Sequence, residues 1–161
     1  MKTATRRQAF TLIELLVVIA IIGILAALIM PALSRAIMRA RITKTQAEVS
    51  NILTAWNSYY REYGLWPEGI GTSDENLLNE AVQDILSGQN RSHNRRGLPF
   101  MEFPRDEYKD HWDNEYRFVL DHNYNNQVDV LGHGTLDREV AVWSLGPDGE
   151  SGTDDDITSW D

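Results

Sequence analysis

The sequence contains no cysteine among its 161 residues, so no disulfide bond can fix its loops. Outside the cytoplasm, such a chain needs another device to hold those loops. Basic residues are scarce in the last third, where positions 106–161 carry 15 acidic residues against three basic ones, a net charge of −12. This distribution argues against nucleic-acid binding, which requires a basic surface. The length leaves room for one modest domain besides any apolar segment.

Catalytic patterns are also missing from the sequence. Four histidines occur, and none of them forms an H-x-x-x-H or another close ligand pair. No serine stands in a G-x-S-x-G elbow. Scattered exposed histidines are the ordinary explanation of such a pattern, so we expect a protein that is not an enzyme.

What the chain does have is one long apolar run. Positions 15–30 carry no charged or strongly polar residue, and residues 10–33 would form about 36 Å of helix, enough to cross a bilayer. Three basic residues precede the run and predict a cytoplasmic N-terminus, although several also follow it. A cleaved secretory signal is disfavoured because the apolar core exceeds the usual length of about 7–15 residues and helical patterning continues past residue 36.

A glutamate at position 14 stands near the start of this apolar run. An acidic residue costs about 2.5–3.5 kcal/mol at the centre of a membrane helix, and less towards an end. Something must offset that cost. A buried carboxylate that faces an ammonium is compensated, whereas a lone one would become neutral or resist insertion.

The segment "AFTLIE", residues 9–14, resembles the prepilin processing site of type IV pilins and type II secretion pseudopilins. The resemblance implies cleavage between Ala9 and Phe10 on the cytoplasmic face and N-methylation of Phe10, although the family usually has glycine where this chain has Ala9. Counted from Phe10, Glu14 is the fifth residue and Pro31 the twenty-second, both positions that the family marks. It further implies that Glu14 pairs with the terminal amine of a neighbouring subunit, so Glu14 and Pro31 are predicted assembly residues.

After Pro31, apolar residues recur at steps of three and four, which predicts one helix that continues to about Tyr63 and packs one face on a sheet. Pro31 lacks the amide that would bond to the carbonyl of Ala27, so we expect a kink or a melted turn there. Gly64 is the predicted helix stop. The apolar positions are Met38, Ile42, Val49, Ile52, Leu53, Trp56, Tyr60 and Tyr63.

The remaining sequence predicts a small α+β head. We expect a short helix near residues 75–86, then short strands at 115–120 ("EYRFVL") and 138–145 ("REVAVWSL"). Three or so antiparallel strands packed on the amphipathic helix would give the pilin-like lollipop, a long helix that carries a small head, of the family that the sequence resembles. The predicted layout is a leader peptide (1–9), a transmembrane or filament-core half of the long helix (10–33), its amphipathic half (34–63), a variable connection (64–107) and an antiparallel β region with a C-terminal calcium loop (108–161).

The segment "DHWDNEY", residues 110–116, resembles in part the D-P-W-G-N-P-Y pattern that leads into a strand in this family. His111, Asp113 and Glu115 replace its two prolines and its glycine, so only part of the pattern survives.

A second informative stretch lies near the C-terminus. Five acidic residues crowd into positions 148–156 with no basic residue among them. Folding brings these like charges together, and a hard cation relieves the repulsion. Calcium tolerates irregular glycine-rich loops better than magnesium does. A solvated acidic tail is the alternative interpretation.

Residues 144–160, "SLGPDGESGTDDDITSW", also resemble the C-terminal calcium loop of major pseudopilins. The resemblance implies that Ca²⁺ is bound by the matching positions of this loop. The implied ligands are the carbonyl of Leu145 and the carboxylates of Asp148, Asp155 and Asp156, with Asp154 as a substitute and Ser151 as a further oxygen donor.

A weaker metal candidate is "DHNYNNQVD", residues 121–129. Its oxygen-bearing side chains at Asp121, Asn123, Asn125 and Asp129 match positions 1, 3, 5 and 9 of an EF-hand loop. The glycine and the final glutamate of such a loop are missing, so an Asn-rich turn is the preferred interpretation.

Together these observations predict a prepilin that becomes the major pseudopilin of a type II secretion system. The resemblance implies a single-pass inner-membrane protein with a periplasmic C-terminal domain, which then joins a periplasmic pseudopilus that drives the export of folded exoproteins. The implied partners are further copies of the chain in a helical homopolymer, minor pseudopilins, a prepilin peptidase and N-methyltransferase, and the inner-membrane secretion platform.

Two alternatives share parts of this pattern. A type IV pilin for adhesion, motility or DNA uptake would have the same N-terminus, but usually closes its C-terminal region with a disulfide, which this chain cannot form. A membrane-anchored calcium-binding domain that never polymerises is the other alternative.

Overall fold

A computed structural model describes residues 12–104 and 108–160. The chain divides into two compact units between Ala40 and Arg41. The first unit is helical throughout its described part, and the second contains every strand as well as every buried residue of the described chain.

Helix α1 spans Leu12–Tyr63, which are 52 residues. The helix is unbroken at Pro31, so the melted turn that we expected there is absent. Its end after Tyr63 confirms the prediction: Gly64 has a φ of +68° and its amide donates to the Tyr60 carbonyl at 2.7 Å. The first part of α1 is long and apolar enough to span a membrane, which fits a membrane anchor.

The buried face of α1 differs in part from the predicted stripe. Val49, Ile52 and Trp56 are buried as expected. Met38 and Ile42 are 38% and 40% exposed, because the apolar pattern of α1 begins before the part of the helix that carries buried residues. The burial of Tyr59, one position from the predicted Tyr60, was not predicted.

The connection after α1 contains a shorter helix than predicted. Residues 76–77 form strand β1 (Asn76–Leu77), and helix α2 covers Glu80–Ser87. Asn79 caps α2, because its side chain accepts a hydrogen bond from the Val82 amide at 3.2 Å. The predicted start at residue 75 was therefore wrong: this local cap fixes the helix start, and the preceding residues pair with a strand instead.

Antiparallel pairing builds one four-stranded sheet in the order β1-β2-β5-β6 and a separate hairpin of β3 and β4. Both predicted strands are confirmed with shorter bounds, and the sheet is one strand larger than expected. The strands after β1 are β2 (Arg117–Leu120), β3 (Val128–Val130), β4 (Gly134–Leu136), β5 (Val140–Ser144) and β6 (Ile157–Thr158).

The main core lies between the C-terminal part of α1 and one face of the four-stranded sheet. Trp56 occupies its centre, with its ring stacked on Phe118 of β2 at a centroid distance of 5.0 Å and edge-on to Trp66 and Tyr59. A second cluster on the other face of the sheet contains Trp143 and the valines of the β3–β4 hairpin. The predicted α+β class, a long helix packed on a small antiparallel sheet, is confirmed.

Candidate functional site

The N-terminal site is described from Leu12 onward, so the predicted processing residues Ala9 and Phe10 lie outside the described residues. Glu14 lies in the first turn of the described helix, with Ile13, Val17 and Val18 around it at the surface. These neighbours are exposed apolar side chains. The structure thus places one carboxylate on an otherwise apolar helix surface.

The predicted calcium loop, residues 145–156, joins β5 to β6. These two strands are neighbours in the sheet, with Trp143 opposite Thr158 and Ser144 opposite Ile157. The loop is therefore a long connection whose two ends are held side by side. We call residues 145–156 the acidic loop.

Asp155 organises the first half of the acidic loop. Its Oδ2 accepts a hydrogen bond from the Asp148 amide at 3.1 Å, and its Oδ1 accepts one from Thr153 Oγ1 at 2.8 Å. The Thr153 hydroxyl and the Asp148 amide together lower the pKa of this carboxyl group, because they stabilise its charged form. Asp148 itself is exposed and accepts a bond from the Glu150 amide at 2.9 Å.

Gly146 allows the two halves of this loop to meet. Its φ is +60°, and a Cβ at this position would lie 2.1 Å from the Asp155 carbonyl oxygen. A side chain has no room there, so glycine is the residue that fits.

Asp156 is the buried acid of the loop, with a side chain that is 1% exposed. Its Oδ2 accepts from the Gly152 amide at 2.7 Å and the Thr153 amide at 3.3 Å, and lies 2.7 Å from His133 Nε2. Its Oδ1 is buried as well and has no hydrogen-bond partner within residues 12–104 and 108–160. A buried carboxylate oxygen without a partner is costly, and a cation or a further donor would relieve that cost.

The turn of the β3–β4 hairpin packs against the acidic loop. Ser151 Oγ donates to the Leu131 carbonyl at 2.9 Å, and the backbones of Gly132 and Gly152 touch. The His133 ring packs edge-on against Trp160 at 5.1 Å. Sequence reasoning missed His133 and this turn as neighbours of the loop, because nothing local in the sequence joins the two segments.

The other side of the loop is held by the surviving residues of the "DHWDNEY" segment. Asp110, 7% exposed, accepts hydrogen bonds from the Trp112 and Asn114 amides and from Ser144 Oγ, at 2.8, 2.9 and 2.6 Å. Asn114 Nδ2 donates to the Gly146 carbonyl at 2.9 Å. The aspartate and asparagine of the partial family pattern thus fasten the start of the acidic loop, and that pattern was the signal that could have identified them.

The structure brings together part of the predicted ligand set. Asp148 and Asp155 meet through the Asp148 amide, Asp156 lies inside the loop, and Asp154 is exposed. Among the described residues, no group of three or more histidine or acidic side chains is arranged to hold a metal. The donors are nevertheless the hard oxygens that calcium prefers, and Asp156 Oδ1 has no hydrogen-bond partner among the described residues.

The weaker candidate at residues 121–129 is built differently. Asp121 is 3% exposed, and its two oxygens accept from the amides of Asn125 and Asn126 at 3.3 and 2.6 Å. Asp129 lies in β3 and accepts from Thr135 Oγ1 at 2.6 Å. These bonds describe an Asn-rich turn, which was the preferred interpretation, and they use both oxygens of Asp121 and one oxygen of Asp129.

A buried polar contact joins α1 to the residues that precede β2. Tyr116 Oη donates to Glu48 Oε2 at 2.5 Å, and His111 Nδ1 lies 3.3 Å from Thr45 Oγ1. Burial, followed by the hydrogen bond to Glu48, raises the pKa of Tyr116 far above its usual value. Burial also raises the pKa of Tyr59 to about 12.

Comparison with known proteins adds two kinds of similarity. Residues 4–30 match the family described as prokaryotic N-terminal methylation motif. The chain is 31% identical to the type II secretion system core protein G of Escherichia coli (strain K12) over 160 residues, which are 99% of this chain and 95% of that protein. It is 28% identical to the protein of that name in Pectobacterium carotovorum over 155 residues, 96% of this chain and 85% of its relative.

Similarity to pilins is more restricted. The chain is 35% identical to a type IV major pilin of Neisseria gonorrhoeae over 85 residues, which cover 50% of this chain and 40% of the pilin. The similarity to core protein G, in contrast, extends over both the apolar helix and the head. The chain therefore belongs to the family of type II secretion system core protein G, the major pseudopilins.

Proposed function

We propose that this chain is a structural subunit that polymerises into a type II secretion pseudopilus and so drives folded exoproteins across the outer membrane. The observation that carries the proposal is Glu14, a carboxylate on an otherwise apolar helix surface, in a chain similar to core protein G over nearly its full length. Removal of the leader before Phe10 would create an ammonium group that Glu14 of another subunit can face. Processing and assembly are thereby coupled.

The steps before assembly follow from the same segment. The prepilin peptidase cleaves between Ala9 and Phe10 and methylates the new amine, while the apolar part of α1 holds the chain in the inner membrane with its head in the periplasm. The secretion platform and the minor pseudopilins are the partners with which the subunit assembles. Its task is mechanical rather than catalytic.

Cross-linking tests the polymer directly, because a chain without cysteine gives no background disulfides. We would combine Leu12→Cys with Leu16→Cys in cells that carry the secretion system. Multimers linked through the apolar part of α1, which we call the stalk, are the expected product. Glu14→Leu should abolish these multimers while the protein still inserts into the membrane. Wild-type-like multimers from Glu14→Leu, or none from the parent pair, would contradict the assembly role.

A type IV pilin is the second candidate function. The pilin similarity is confined to about half of the chain and the chain lacks cysteine, so secretion is the better supported function. Deletion of the gene separates the two: loss of exoprotein export with surface pili unchanged supports the pseudopilin, and the reverse result supports the pilin.

We also propose that the acidic loop binds Ca²⁺. The residues that would hold it are Asp148, Asp155 and Asp156 with the Leu145 carbonyl, and Asp154 and Ser151 are the further oxygen donors. When bound, calcium supplies a divalent charge that neutralises neighbouring carboxylates. The support is the unpartnered Asp156 Oδ1, together with a loop whose ends are fixed by β5 and β6.

A thermal melt of residues 34–161 in chelator, excess calcium and excess magnesium tests the loop. A ligand at 100 times its dissociation constant adds about 2.7 kcal/mol of stability, which shifts the midpoint of a small domain by many degrees. The shift should be calcium-selective and should be lost in Asp148→Ala with Asp155→Ala. An unshifted midpoint would exclude the calcium site and leave the filament proposal standing.

A further inference from the structure

The loop that follows α2 carries concentrated positive charge. Residues 88–98, which we call the arginine loop, contain three arginines and no acidic residue, and all three arginines are exposed. Arg96 pairs with Glu62 of α1. Arg91 and Arg95 form no ion pair with any residue in the described part of the chain. Two guanidinium groups are thus available to a partner.

A buried asparagine holds the arginine loop in one conformation. Asn94 Nδ2 donates to the carbonyls of Ile85 and Leu98, both at 2.8 Å, and Asn94 Oδ1 accepts from Tyr63 Oη at 2.7 Å. The loop is therefore already ordered on the end of α1. A partner that binds it does not have to meet the entropic cost of ordering the loop.

A groove of about 340 Å³ runs beside the arginine loop at the end of α1. Its wall includes Tyr63 and the exposed Leu65, with the buried rings of Tyr59 and Trp66 behind them, and one basic residue, Arg95, and one acidic residue, Glu68, also line it. His93 also lines the groove and has a buried Nδ1 without a hydrogen-bond partner in the described part of the chain. Leu65 and Tyr63 give the site apolar surface, and Arg91 with Arg95 outnumber its one acidic residue, Glu68. Such a site suits an acidic segment with an apolar residue in it.

The acidic loop of the same chain has that composition. Pro147, Asp148, Glu150 and Asp154 are all exposed. No basic residue in the described ranges pairs with these three carboxylates. Glu150 is not among the proposed calcium ligands, so its charge remains when the loop is loaded with calcium.

The two loops lie at opposite ends of the head. The arginine loop is bonded to Tyr63, whereas the chain just beyond the acidic loop is bonded to Gln46, whose Nε2 donates to the Thr158 carbonyl at 2.9 Å. Seventeen residues of helix separate these two anchor points, which corresponds to about 25 Å along α1. The loops therefore cannot meet within one molecule, and a second copy is needed to pair them.

We propose that the arginine loop of one subunit binds the acidic loop of the next subunit, head to tail. This inference rests on the proposed polymer and adds the surface through which the heads recognise each other. A head-to-tail contact between two different patches of identical chains is heterologous, and where its rotation does not close into a ring it repeats into an open filament. End-to-end contacts between like ends, arginine loop on arginine loop or acidic loop on acidic loop, would bring like charges together and are disfavoured.

Disulfide trapping in assembled pseudopili tests the contact. The full chain with both Arg95→Cys and Glu150→Cys should give a ladder of multimers, because each molecule then carries both halves of the contact. Co-expressed single variants should give dimers alone. The matched control combines Arg95→Cys with Glu80→Cys, an exposed residue of α2, and should give no ladder. Equal ladders from the test and control pairs would show random collision and overturn the proposal.

The stalk pair Leu12→Cys with Leu16→Cys separates failure of the head-to-tail contact from failure of the polymer itself. If the stalk pair cross-links and the head pair does not, the head-to-tail contact is wrong and the polymer stands. If neither pair cross-links, the polymer itself is wrong.

Charge reversal gives an independent readout. Arg95→Glu alone and Glu150→Lys alone should each lower the yield of sheared filaments about tenfold, through like-charge repulsion across the contact. The two changes together should restore at least half of the yield. Unchanged yields in the single variants, or no recovery in the double variant at normal cellular levels of protein, would overturn the proposal.

Discussion

At the level of single residues, Asp156 is the acid on which the conformation of the acidic loop depends most. Its Oδ2 accepts hydrogen bonds from two backbone amides and contacts His133, and its side chain is buried. Asp156→Ala leaves these donors unsatisfied, so we expect a loss of about 2–4 kcal/mol in the free energy of unfolding. Chemical denaturation of residues 34–161 in chelator measures this loss without any contribution from calcium.

The exposed neighbour Asp154 is the matched control for this prediction. Asp154→Ala removes an equal charge from the same loop and should change stability by at most about 0.5 kcal/mol. If the two variants were equally stable, Asp156 would not be the anchor that its contacts indicate.

Tyr116 makes the stability of the head decrease at alkaline pH. Its folded-state pKa is raised by burial and by the bond to Glu48, so the folded protein holds this proton more tightly than the unfolded chain does. The resulting stability is fully present below pH 10, the usual pKa of tyrosine, and is lost as pH rises above it. The loss reaches at most about 1.4 kcal/mol per pH unit for this residue.

Denaturation of residues 34–161 between pH 9 and pH 12 measures that slope. Tyr116→Phe should make it shallower, and Tyr124→Phe, at an exposed position, should leave it unchanged. A slope that is insensitive to Tyr116→Phe would rule out this source of pH dependence.

At the level of the elements, closure of the acidic loop depends on backbone approach as much as on charge. Gly134 and Gly146 both have positive φ, but a Cβ on Gly134 meets nothing within 4 Å, whereas one on Gly146 collides with the Asp155 carbonyl. We expect Gly134→Ala to cost about 1 kcal/mol for its backbone conformation alone. Gly146→Ala should cost clearly more and should weaken calcium binding, as titration calorimetry would show. Equal effects of the two substitutions would contradict the close approach.

The elements also show how far the sequence alone was informative. The 3.6-residue period of the apolar positions predicted α1 and its end at Tyr63, and the β-branched runs predicted β2 and β5. Periodicity could not indicate that Met38 and Ile42 lie outside the packed region, because an apolar face looks the same whether a sheet or other copies cover it. The start of α2 depends on the side chain of one residue, Asn79, which a pattern averaged over a window does not resolve.

The candidate site was predictable in composition but not in geometry. The crowding of acidic residues drew attention to the acidic loop, and the resemblance to the calcium loop of major pseudopilins favoured a cation site over a solvated tail. The contacts that hold it come from distant positions, namely Asp110, Asn114 and His133. Such contacts arise from strand order, and the sequence carries no local signal for strand order. The partial family pattern around Asp110 was the available indication.

At the level of the whole molecule, surface apolarity is concentrated before the head. The large apolar side chains that are exposed on α1 run from Leu12 to Ile42, and the buried residues of the helix begin at Thr45. We expect residues 34–161 to be monomeric at micromolar concentration, because the surface that drives association has been removed, and the full chain to require detergent. Light scattering measures both. Stable oligomers of the fragment would place the main assembly surface in the head instead.

The position of β6 at one edge of the sheet has a consequence for biogenesis. Strands β5 and β6 pair next to each other, and the carbonyl of Thr158 bonds to Gln46, which lies 112 positions earlier in the chain. Residues 157–158 follow every other described element, so the sheet cannot be completed while that segment is still inside the ribosome or the translocon. The apolar part of α1 thus leaves the ribosome well before the head can be completed. A chain cut short before β6 would present the unpaired edge of β5 to its neighbours, as an aggregation-prone substrate for proteolysis.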